Sequence, residues 1–122
     1  MKITVDPQAM TFHLNFKSHW KQAVGHEIKV GEFRFCVTPI DNVLKVSEIT
    51  TGALVRDLPR PEKPLSKMES LKAFEAIGKQ LLEEMKRSKH LSSAFENLKQ
   101  ESFRLLGETP EPQIFGPQEV AE

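Results

Sequence analysis

Tyrosine is absent from this chain, cysteine occurs once, and charge of one sign is never in excess: 17 basic residues stand against 17 acidic ones among 122. Each lack excludes something. A single cysteine, Cys36, allows no disulfide within the chain, which points to a reducing compartment and a cytoplasmic location. Charge balance argues against a dedicated binder of the phosphate backbone, which needs a cationic surplus to displace condensed counterions. No apolar run approaches the roughly 20 residues that span a bilayer. No apolar stretch follows a basic N-terminus, so no signal peptide is expected. The six glycines stand singly, which leaves no phosphate-cradling loop, dinucleotide fingerprint or nucleophile elbow. The aromatics are eight Phe and one Trp, so no core phenol needs a buried hydrogen-bond partner.

What is present is a change of period. From Met10 to Phe16 apolar and polar residues alternate, with Met10, Phe12, Leu14 and Phe16 on one side, the pattern of a half-buried strand. Lys2 to Val5 reads as a short strand closed by Asp6-Pro7. Lys17 to Val24 carries Trp20, Ala23 and Val24 at the spacing of a helical turn, and Gly25-His26 punctuates the chain. Glu27 to Thr38 predicts a hairpin about Gly31, which supplies the positive φ of a tight reversal. Asp41-Asn42 and Thr51-Gly52 mark two further turns, flanking strands over 43–49 and 53–56. Pro59, Pro61 and Pro64 make 57–65 a stiff extended connector.

Beyond it the period becomes helical. Ser66 and Glu69 have capping-box spacing. Met68, Leu71, Phe74, Ile77, Leu81 and Met85 recur at three- and four-residue steps, opposite Lys72, Glu75, Lys79, Glu83 and Lys86. Gly78 lies within this helix and costs about 1 kcal/mol against Ala, which suggests a close neighbour. The basic run 86–90 suits the turn between helices. A second helix is expected, capped by Ser92 or by Ser93, which has capping-box spacing to Glu96, and ending with Gly107 at C′. Its stripe of Leu91, Phe95, Leu98, Ser102 and Leu105 is flanked by Ala94, Phe103 and Leu106. The fold class is therefore α+β: an antiparallel meander of four or five strands packed on a long amphipathic helix, followed by a second helix. One domain covers 1–107, strand-rich to 56 and helical from 66, with a flexible Pro-rich acidic tail over 108–122.

No cofactor or metal is expected. His13, His19 and His26 are spaced too widely for the paired ligands of a structural zinc site. Cys36 has no base or cation in a motif with it and reads as a small semi-buried residue. Glu75 with Lys79 and Glu83 with Arg87 have the spacing of surface ion pairs on a helix, not of an acid–base pair. The chain is read as non-enzymatic.

The strands around Ser47-Glu48-Ile49-Thr50-Thr51-Gly52-Ala53-Leu54-Val55, with the long helix after them, resemble small accessory proteins encoded by phage and prophage. The resemblance covers residues 28–86 and implies a protein that acts by binding a host or phage macromolecule, as an accessory or inhibitor. It carries no residue role.

Two functions follow. The first is a non-catalytic protein-interaction module, binding another protein or a second copy of itself through the surplus apolar residues Phe95, Leu98, Phe103, Leu106, Ile114 and Phe115. The second is nucleic-acid binding through a basic sheet face of Lys17, Lys21, Lys29, Arg34 and Lys45.

Overall fold

The computed structural model describes residues 2–87 and 91–114, with the side chains of 91–95 and of 98 outside that description. Seven strands and two helices follow in order: β1 (Ile3–Val5), β2 (Met10–Asn15), β3 (Trp20–Val30), β4 (Phe33–Ile40), β5 (Val43–Glu48), β6 (Leu54–Pro59), α1 (Lys67–Arg87), α2 (Leu91–Leu106) and β7 (Gln113–Ile114). All pairings are antiparallel. The sheet order is β6-β5-β4-β3-β2-β7, with β1 also on β3. The α+β class and the meander stand, with more strands than the four or five expected.

The central device is β3, eleven residues long. Its first half pairs β2 from Asn15↔Trp20 to Met10↔Gly25. Its second half pairs β1 on one side and β4 on the other, the latter from His26↔Val37 to Val30↔Phe33. The partner changes at Gly25, where a Cβ would overlap the carbonyl oxygen of Val37. Only a residue without a side chain lets the two backbones approach this closely. Gly25-His26 is thus not a break, and Lys17–Val24 is not a helical turn. Trp20 to Val24 is strand because pairing with β2 overrides a spacing too short to nucleate a helix.

Consecutive side chains on a strand face opposite ways, and each face of this sheet has its own core. On one, Ile28, Val30, Phe35, Val37 and Val46 meet Ile77, Leu81 and Met85 of α1. On the other, Cys36 and Ile49 meet Phe12, Leu14 and Ala23 of the folded-over β2–β3 hairpin. Burying each larger aliphatic or aromatic chain contributes about 1.5–3 kcal/mol.

Helix α1 opens with the expected box: Glu69 N donates to Ser66 Oγ at 3.2 Å, and Ser66 N to Glu69 Oε1 at 3.3 Å. Gly78 faces Ile3 and Ile28. Met68, placed by spacing on the inward stripe, is 68% exposed. It sits in the first turn, ahead of the first buried residue, Ile77. On the sheet side, Arg56 pairs with Glu84.

Three boundaries differ from expectation. β6 continues through Asp57 and Leu58 to Pro59, so the connector begins later than 57. As the edge strand, β6 tolerates a terminal proline that donates nothing. α2 begins at Leu91, ahead of Ser92 and Ser93, so no capping box at Ser93 starts it. The tail is not free from 108: Thr109 Oγ1 donates to Thr50 O at 2.7 Å, and Gln113–Ile114 pairs with Thr11 and Met10. Main-chain pairing to an open strand edge needs little apolar surface, which is why composition hid it. Residues 115–122 lie outside the described residues. Among the described residues no helix is long and apolar enough to cross a membrane.

Candidate docking cleft

The turn between β5 and β6 organises the lower end of the molecule. Glu48 is 3% exposed. Its Oε1 accepts from Thr50 N at 3.0 Å and Thr50 Oγ1 at 2.6 Å, and its Oε2 accepts from Thr51 N and Thr51 Oγ1, both at 2.8 Å. A buried carboxylate persists only when its lone pairs are taken up in this way. Asn15 N donates to Gly52 O at 2.9 Å, which ties the turn to the end of β2.

Among the described residues, a buried hydroxyl ties helix α2 to this turn. Ser102 Oγ donates to Thr51 O at 3.0 Å and accepts from Asn15 Nδ2 at 2.8 Å. Gly107, at φ 78°, caps the helix by donating to Phe103 O, the left-handed ending that spacing predicted. The chain then doubles back through Thr109 to β7. Between α2 and this return strap lies a cleft of about 530 Å³, within the 300–1,000 Å³ range of ligand pockets. Ile49, Thr50 and Arg34 line it from the sheet, Glu96, Lys99, Gln100 and Phe103 from α2, and residues 107–112 from the strap.

The predicted contact residues divide. Phe103 lines the cleft and is 64% exposed. Leu106 is half-buried. Ile114 is exposed but sits on β7, opposite Met10, and is not part of the cleft. The side chains of Phe95 and Leu98, and all of Phe115, lie outside the described residues. Leu105, counted on the inward stripe, is exposed. Ser102, the polar member of that stripe, is what points inward.

The basic set does not form one platform. Lys29 and Arg34 are cross-strand partners, and Lys45 shares their side of the sheet. The middle of that side, though, is the second core, covered by Phe12, Leu14 and Ala23. Arg34 makes a two-pronged pair with Glu27 at 2.8 and 2.9 Å, and Lys45 pairs with Asp57 at 3.1 Å. The Glu27 hydrogen bond raises the Arg34 pKa, against a smaller opposing effect of burial. Lys17 lies in the β2–β3 turn and Lys21 at the start of β3. Some eight residues of strand, roughly 25 Å of path, separate Lys21 from Lys29.

The remaining reactive groups are held apart. Burial pushes the Cys36 thiol up to about 12. His26 Nδ1 lies 3.0 Å from the Asp6 carbonyl, which can only accept, so that nitrogen carries the proton. Its ring leans on Phe74, with centroids 5.3 Å apart. His19 touches Ser18 and Phe16 in the β2–β3 turn. Among the described residues no three His, Cys, Asp or Glu side chains gather to hold a metal ion.

Sequence alone missed Thr109 on the lining, and Ser102 and Glu48 as the buried residues that position the helix and the turn beside it. The signals were a serine at an inward position of α2 and Thr-Thr directly after a glutamate. No family model, no curated protein and no solved structure matches the chain.

Proposed function

We propose that this chain is a non-catalytic protein-interaction module that takes a segment of another protein into the cleft between α2 and the 107–112 strap. The observation that carries this reading is Phe103: a large aromatic, 64% exposed, on the wall of a concave site whose floor is the buried Ile49. Exposed aromatics beside a cavity are the usual anchors of binding energy at interfaces. The likeness to phage accessory proteins fits the same role, an accessory or inhibitor acting on a macromolecule.

Affinity capture from native lysate tests it, comparing the natural chain with Phe103→Ser. A protein retained by the first and lost from the second is the expected outcome. An identical set of retained proteins would sink the reading. A labelled single-stranded oligonucleotide, titrated at low and high salt, gives the counter-test. Salt-dependent binding there would put the basic residues in place of the cleft.

A further inference from the structure

The charges around the cleft are unequal. Arg34 is matched on both prongs by Glu27, and Glu111 also acts on it through space without contact. That leaves Lys99 as the unmatched cation on the lining, against Glu96, Glu108 and Glu111. Among the described residues none of these three carboxylates has an ion-pair partner within 4.0 Å. The molecule as a whole is neutral, so the acidic excess is local to the concave site. An excess of one sign in a concave site favours a ligand of the other sign. Phe103 adds a ring face, which attracts a guanidinium or ammonium. Ile49, Pro110 and Pro112 add apolar wall.

We infer that the partner segment is basic: a peptide carrying arginine or lysine beside an apolar anchor. Its cation lies over Phe103 and between Glu108 and Glu111, and its apolar side chain reaches toward Ile49. This inference rests on the docking reading above and adds the chemistry of the partner. Acidic peptides and nucleic acid strands are repelled by the same carboxylates.

Fluorescence anisotropy with the full chain tests it, using two labelled octapeptides, one alternating Arg and Leu, the other alternating Glu and Leu. The Arg–Leu peptide is expected to bind and the Glu–Leu peptide not to. Removing both strap charges, Glu108→Gln with Glu111→Gln, should weaken binding about fivefold to tenfold at low salt, the scale of two partly exposed ion pairs. Phe103→Ala should weaken it by about fivefold. Lys99→Glu should strengthen it, a change of sign that loss of fold cannot mimic. The pair Glu75→Gln and Glu83→Gln, on the exposed side of α1, should leave it unchanged, and circular dichroism verifies that each variant is folded.

No binding of the Arg–Leu peptide, equal binding of both peptides, weakening by Lys99→Glu, or an equal loss in the α1 control overturns the inference. The two readings fail separately. Capture lost in Phe103→Ser reports the docking face whatever the partner's charge. The peptide swap and Lys99→Glu report charge alone.

Discussion

Glu48 sets two carboxylate oxygens against four donors from the two threonines that follow it. An amide at this position keeps one acceptor and turns the other into a donor facing donors. Glu48→Gln should therefore cost about 2–3 kcal/mol, the desolvation of buried groups left unpaired. A urea titration followed by tryptophan emission would measure it, since Trp20 lies against Gly52 in the same turn. A loss below about 0.5 kcal/mol would mean the turn holds its shape without the carboxylate. Cys36 makes the opposite point. Its thiol, 1% exposed and raised to about 12, stays protonated and inert in the folded chain. Labelling by a maleimide at pH 8 should be absent until denaturant unfolds the protein, then complete. The unfolded thiol ionises near the ordinary cysteine value of 9.0. Between that pH and about 12 the folded state binds more protons, so Cys36 makes stability fall as pH rises through this window.

Two glycines sit inside regular elements, and their neighbours decide what each tolerates. At Gly25 the obstacle is backbone, the Val37 carbonyl. At Gly78 it is the methyl ends of Ile3 at 2.7 Å and Ile28 at 3.1 Å. Backbone in a paired strand cannot give way, so Gly25→Ala should cost 3 kcal/mol or more, or abolish folding, as overpacking does at its worst. Gly78→Ala gains about 1 kcal/mol of helix propensity and displaces mainly Ile3 of the three-residue β1, while Ile28 of β3 gives by a few tenths of an ångström. A net loss of about 1 kcal/mol is expected, with faster amide exchange at β1 and none at β4. The same contrast explains what could be read in advance. α1 was legible because its cap, its stripe and its length all agree, and the hairpins at Gly31 and Asp41-Asn42 because turn residues separate clean alternations. β3 was not, since what makes Trp20 to Gly25 a strand is β2 beside it, and that is tertiary information. Phe103 was legible as surplus on the apolar stripe, whereas the acidic strap opposite it was not. Glu108 and Glu111 follow the helix in a Pro-rich stretch whose return to the sheet leaves no period to read.

At the scale of the whole molecule, among the described residues, Ser102 joins α2 to the sheet. This residue links Thr51, 51 positions back, with Asn15, 87 back. Ser102→Ala leaves the Thr51 carbonyl and the Asn15 amide unpaired, at a cost of about 1–3 kcal/mol. Because the damage is confined to one seam, α2 amides should lose protection from exchange while β3 and β4 keep theirs. Partner capture should fall as far as it does in Phe103→Ser, although Ser102 itself is buried. By contrast the β3–β4 and β4–β5 links are reversals of two residues each. Short loops close early and distant contacts late, because chain entropy must be overcome before a remote pair rewards it. During synthesis, then, the seat at Thr51 and Asn15 leaves the ribosome with the meander, well before the helix that rests on it, and the cleft takes shape only after the sheet does.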